Sequence, residues 1–186
     1  MNQKKSLLKE MGRMLSREAD PNRLHTVTMS ELYEVDYASK PALVENLLYT
    51  GAYIFAGSPK VGKSFFMLQL GYHISKGLPL WDFDVKKGKV LYLALEDDYK
   101  RLQKRLFRMF GEEDSEDLIL GLKAGQIGNN LQSQLENFVD EYPDTVLIII
   151  DTLQKVRQPG TDKYSYAGDY SDIAMLKNFA ESRGIH

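Results

Sequence analysis

From about Ala52 onward, short apolar runs bounded by turn residues alternate with stretches in which apolar side chains recur every three or four positions. The runs Ala52 to Ala56, Lys89 to Leu95, Leu118 to Leu122 and Thr145 to Ile150 have the length and aliphatic content of strands. Helical spacing marks Lys63 to Lys76, Asp98 to Phe110, Asn130 to Glu141 and Tyr170 to Arg183. Such alternation predicts an α/β core, a mostly parallel sheet flanked by helices. Residues 1 to about 24 stand apart. There Leu7, Leu8, Met11, Met14 and Leu15 fall at helical spacing among Lys4, Lys5, Lys9, Arg13 and Arg17, and the pattern stops at Asp20-Pro21-Asn22. We read residues 1–28 as a helical appendage whose apolar face docks on the core or on a neighbouring subunit, and residues 29–186 as the core. A connecting region lies near Ser30 to Pro41, and no internal repeat is visible.

The first run leads into Gly57-Ser58-Pro59-Lys60-Val61-Gly62-Lys63-Ser64, the pattern GxxxxGKS between a strand and a helix. A polyphosphate is held by several backbone N–H groups turned toward one anion, and a loop carrying Gly57 and Gly62 bends that way without steric cost. Lys63 reaches the outer phosphates, the Ser64 hydroxyl is placed to ligate Mg²⁺, and the positive end of the following helix dipole lies beneath them. The expected ligand is ATP with Mg²⁺. The alternative is a glycine turn capping an ordinary helix.

Val146-Leu147-Ile148-Ile149-Ile150-Asp151 reads as a buried strand ending in a carboxylate at the sheet edge where α/β proteins bind ligands. Asp151 is thus a Walker B candidate, sharing Mg²⁺ with Ser64; a helix or turn cap is the other reading. Thr152 follows, so a base for the attacking water has to come from elsewhere. The run Val90 to Leu95 ends in Glu96-Asp97-Asp98. Glu96, at the tip, is best placed to orient water against the terminal phosphate, while Asp97 or Asp98 suits a helix cap. All three acids acting as caps or ion-pair partners is the competing reading.

Composition narrows the classes. There are 24 basic and 26 acidic residues among 186, for a net charge of −2, so no global field draws in nucleic acid or acidic membranes. The absence of cysteine rules out disulfides and thiolate metal sites and fits a reducing compartment. The longest uninterrupted aliphatic run is too short to span a bilayer and the amino terminus lacks a signal-peptide core, so the expectation is a cytoplasmic protein with no membrane partner.

In order and spacing, GSPKVGKS, KVLYLALEDD and VLIIIDTLQKV resemble the RecA-type ATPases, and most closely the RepA-like hexameric replicative helicases of plasmids and mobile elements, over about Leu43 to His186. The resemblance implies a RecA-like P-loop fold and Mg·ATP between subunits of a homo-oligomeric ring. It further implies Glu96 as the hydrolytic base, a role in DNA replication and a central channel for single-stranded DNA. The family's sheet continues with a strand carrying a polar sensor residue, and an arginine finger lies farther on, whereas this chain stops at Arg183-Gly184-Ile185-His186. The expectation is a core incomplete at its carboxyl terminus that binds nucleotide and hydrolyses it slowly.

Gln154 to Ser171 forms a long predicted loop with Lys155, Arg157, Lys163, Tyr164, Tyr166 and Tyr170, a mixture suited to neutralising and stacking on single-stranded DNA. A surface loop with locally packed tyrosines is the alternative. On the helix after Glu96, Lys100, Arg101, Lys104, Arg105 and Arg108 form either a solvated face partly neutralised by Glu112 to Asp117, or a subunit contact. Two functions remain open: a helicase-type motor on single-stranded DNA, and a nucleotide-dependent assembly switch without translocation.

Overall fold

Three of the four predicted strands pair as a parallel sheet, because their Val, Ile and Leu side chains are buried on both faces. The computed structural model describes residues 24, 26–36, 41–157 and 166–186, with the backbone alone for 166–171. The chain divides into two units, Met1–Ser39 and Lys40–His186. In the first, the described part contains the short helix α1 (Met29–Glu34), opened by a reciprocal capping box between Thr28 and Glu31 and burying none of its residues. The predicted appendage face, Leu7 to Leu15, lies outside the described residues.

The second unit begins with an antiparallel pair, β1 (Ala42–Val44) and β2 (Leu48–Tyr49), which the pattern of apolar residues did not predict. Then follow α2 (Lys63–Lys76), β3 (Lys89–Ala94), α3 (Tyr99–Phe110), β4 (Leu118–Gly121), α4 (Leu131–Glu141), β5 (Thr145–Asp151), α5 (Leu153–Val156) and α6 (Tyr166–Arg183). The sheet order is β4-β3-β5, all parallel. Alternate residues of β3 face opposite layers. Val90, Tyr92 and Ala94 pack with Leu68, Leu70 and Ile74 of α2 and Leu102 of α3, while Leu91 and Leu93 pack with Leu131, Leu135 and Val139 of α4 and Phe179 of α6. This is the α/β layering that the sequence predicts.

Helix α2 lies against the sheet through Gly71, where a Cβ would stand 3.3 Å from Leu118 and 3.4 Å from Val90 side-chain atoms. Its direction is opposite to that of the strands: the Gly88 N–H, just before β3, donates to Ile74 O near the end of α2 at 3.3 Å. A helix of 14 residues is about 21 Å long and a six-residue strand about 20 Å, so the first turn of α2 reaches the carboxyl edge of the sheet.

The fourth predicted strand fails to form. Residues 52–56 are irregular and exposed, with Tyr53, Ile54 and Phe55 all more than half accessible. The reason is the lack of a pairing neighbour among the described residues. Gly51 donates to Ile185 O at 3.2 Å, and His186 pairs with the outer side of β5 through His186 N to Val146 O and Ile148 N to His186 O. Residues 52–56 continue beyond that point with no ladder beside them, and of their side chains Phe55 rests against the Phe66 ring of α2, 5.4 Å between centroids.

At the amino-terminal edge of the sheet, Lys89 donates to Asp117 at 2.8 Å, joining the starts of β3 and β4, with Lys87 3.3 Å from the same carboxylate. Lys76 reaches Asp114 O at 2.9 Å. The acidic run 112–117 is therefore met by Lys76, Lys87 and Lys89, and not by the basic face of α3. The bond from Lys89 holds the Asp117 carboxyl below its ordinary value of 3.8. A depressed carboxyl stabilises the fold above its unfolded pKa and loses that contribution as the pH falls through the folded one. Asp117→Asn should thus lower unfolding free energy by about 1 kcal/mol at pH 7, and denaturant titrations should show the gap to wild type closing below pH 3.8.

Candidate functional site

The loop 57–62 is exposed and takes a left-handed φ at two places. Gly62, the N-cap of α2, has φ 98°, which an L side chain rarely adopts, and Lys60 sits at φ 64°. Gly57 has no left-handed φ, and a Cβ there would meet only ordinary contacts from Val61 and Lys63. The conformational need for glycine in this loop therefore falls on Gly62. Lys63 folds back and donates through Nζ to Gly57 O at 2.7 Å and Ser58 O at 2.9 Å. The loop thus wraps its own cation. The first-turn N–H groups of α2 have no helical acceptors, as at any helix start, and Ser64 beside them is half-buried.

Strand register sets the rest of the site. In the β3 and β5 ladder, Tyr92 is paired with Ile149 and Ala94 with Asp151, and Leu95 N donates to Asp151 O at 2.7 Å. Glu96, two residues past Ala94, therefore lies at the same carboxyl edge as Asp151 and is exposed. Because Tyr92, Ala94, Ile149 and Asp151 share a face, and Tyr92 and Ile149 pack against α2, Asp151 is directed to the side where α2 begins. The structure thus brings the start of α2, Glu96 and Asp151 to one edge, although they are separated by up to 88 positions in the sequence (151 − 63).

Two contacts fasten this edge. Tyr92, with no exposed surface, donates its hydroxyl to Asp151 Oδ2 at 2.6 Å. Burial first, and then that bond, push the phenol well above its ordinary pKa, so the hydroxyl stays a donor. Asp97 is nearly buried, and its oxygens lie 2.7 Å from Arg105 Nη1 and 3.2 Å from Arg101 Nε. Arg105 in turn rests on the Phe65 ring, 5.3 Å from its centroid, tying the turn after β3 to the first turn of α2. Asp98 is the cap of α3, accepting from Arg101 N at 2.9 Å. Of the three acids, Asp98 caps, Asp97 pairs and Glu96 is left at the surface. Sequence reasoning missed Tyr92, read simply as part of a buried run, and Arg105, read as part of either a solvated face or a subunit contact. A lone phenol among aliphatics needs a partner for its hydroxyl, which was the available signal.

The donor set fits a hard divalent ion. Asp151 keeps Oδ1 without a hydrogen bond or ion pair among the described residues, and Ser64 adds a hydroxyl, which suits Mg²⁺ completed by phosphate and water oxygens. Among the described residues, no three His, Cys, Asp or Glu side chains form a separate metal cluster.

The segment read as a DNA-binding loop is shorter than expected, since α5 takes Leu153–Val156 and α6 begins at Tyr166. Lys155 is exposed, but Arg157 is held by Asp172 at 3.1 Å and is largely buried. Lys163 and Tyr164 lie outside the described residues, as do the side chains of Tyr166 and Tyr170.

A parallel sheet between helices with a phosphate loop before α2 defines an α/β P-loop nucleotide-binding core. Residues 18–186 match the family described as AAA domain, and the chain belongs to that family. No curated protein matches it. No helix among the described residues is long and apolar enough to cross a membrane.

Replacing Arg105 by Leu should cost about 3 kcal/mol, because Asp97 is then buried with only the more exposed Arg101 beside it. Urea unfolding should show most of that loss recovered when Asp97→Asn is added to Arg105→Leu, since the amide leaves no uncompensated charge.

Proposed function

We propose that this chain is a Mg²⁺-dependent ATP-binding and ATP-hydrolysing domain of a DNA replication helicase or related mobile-element ATPase, of the RepA-like kind, acting on single-stranded DNA within a homo-oligomeric ring. The observation that carries the reading is the convergence of the α2 start, Glu96 and Asp151 on one sheet edge, with Lys63 already folded into the loop. An incoming polyphosphate replaces the carbonyls of Gly57 and Ser58 as partners of Lys63 Nζ, and takes up the first-turn N–H groups of α2. Ser64 and Asp151 would hold Mg²⁺, which when bound neutralises charge on the phosphates. Glu96, exposed and next to that edge, accepts the proton of an attacking water or orients it in line with the terminal phosphate. Lys155 remains a cation for the DNA backbone.

The switch reading, in which ATP controls assembly without translocation, draws on a different observation. Arg157, counted among the DNA-facing cations, is engaged by Asp172. Stimulation of ATP turnover by single-stranded DNA distinguishes the two: a clear rise supports the motor, and an unchanged rate supports the switch.

Lys63→Ala should abolish the thermal stabilisation given by Mg·ATP; an unchanged shift in the variant would remove the loop from nucleotide binding. Glu96→Gln should keep that stabilisation and lower hydrolysis roughly 10²-fold or more. Wild-type turnover by the Gln variant would place the base elsewhere.

A further inference from the structure

Asp151 has two oxygens in different surroundings. Oδ2 accepts a 2.6 Å hydrogen bond from the hydroxyl of Tyr92, and Oδ1 has no hydrogen-bond or ion-pair partner among the described residues. Tyr92 cannot turn away. Its ring is buried within the layer formed with Leu68, Ile74, Leu102 and Ile149, and its backbone is fixed in the middle of β3 between β4 and β5. A carboxylate on the last residue of a strand has freedom at χ1 and χ2 that a buried, immobile donor removes. The pairing explains why the contact forms. Tyr92 is opposite Ile149, two residues before Asp151 on the same face, so the long phenol spans the diagonal that a shorter side chain would not reach.

We propose that Tyr92 is a positioning residue for the metal-binding carboxylate: by holding Asp151 Oδ2, it presents Oδ1 toward the start of α2, where Ser64 and the nucleotide phosphates would complete the coordination of Mg²⁺. This rests on the nucleotide-binding reading above. The hydroxyl touches neither nucleotide nor metal and acts only through Asp151. Partners of this type typically contribute 10- to 100-fold to metal affinity by fixing ligand orientation. The aromatic ring accounts for packing, so removing the oxygen alone separates the two roles.

The test uses the full chain and a fluorescent ADP analogue, titrated with Mg²⁺ or held in EDTA. For Tyr92→Phe, the Mg²⁺ concentration at half-maximal tightening of ADP should rise roughly tenfold, while ADP affinity in EDTA and the ligand-free melting temperature stay close to wild type. A Mg²⁺ midpoint unchanged from wild type would overturn the proposal. So would an equal loss of affinity in Mg²⁺ and in EDTA, which marks a structural role. A second comparison guards against misfolding of the single variant. Without the carboxylate, the hydroxyl has nothing to orient, so Asp151→Ala and Tyr92→Phe/Asp151→Ala should have the same Mg²⁺ dependence, and a further loss in the double variant would overturn the assignment. Failure of the underlying reading looks different: wild-type protein that binds no ADP under either condition would remove the nucleotide site itself, and Tyr92's role with it.

Discussion

The parallel pairing of β3 with β5 is the constraint on which the site depends. It puts Ala94 level with Asp151, and thereby places Glu96 and Asp151 at the same edge of the sheet, although 55 positions separate them in the chain (151 − 96). A slip of one residue would turn every side chain of one strand to the opposite face. Tyr92 would then point at α4, Asp151 would lose its donor, and Leu91 and Leu93 would collide with the layer that α2 fills. Burial of both faces makes such a slip costly, so the hydrophobic core is what keeps the chemistry in register.

The second requirement is that α2 lie close and run backwards along the sheet. Gly71 permits the approach and the turn through Gly77 and Gly88 reverses the direction, so that the helix starts where the strands end. Arg105 then bridges Asp97 and Phe65, linking the turn that carries Glu96 to the helix that carries Ser64. Phosphate loop, carboxylates and helix start are therefore parts of one braced edge.

Much of this was legible in the sequence. The bounds of α2 were predicted to the residue, and β3, β4, β5, α3 and α4 to within one, because the strands are compact aliphatic runs and the helices are bounded by clear signals such as Asp98 before α3 and Gly77 after α2. The segment 52–56 reads as a strand by composition but lacks one in the structure, because strand formation needs a neighbour and apolar content alone does not supply it. The hairpin of β1 and β2 was missed for the opposite reason: it is too short to show a period. Within the site, the acids at strand ends were visible from position alone. What the sequence could not show was pairing, namely that Asp97 belongs to Arg105, that Tyr92 belongs to Asp151 and that Arg157 belongs to Asp172, since each joins residues on different elements.

Lys63, bonded to the carbonyls of its own loop, has a bearing on selectivity. Lys63 Nζ is bonded to two carbonyls of its own loop, so an anion that binds there competes with two intramolecular acceptors. A singly charged anion offers the ammonium one charge-assisted bond in place of two bonds to neutral carbonyls, roughly an even exchange. A polyphosphate offers several charged oxygens at once, and charge-assisted bonds are about twice as strong as those to neutral acceptors. Under the proposed nucleotide-binding reading, the lysine is a threshold that ranks ligands by density of negative charge before any part of the nucleoside is read.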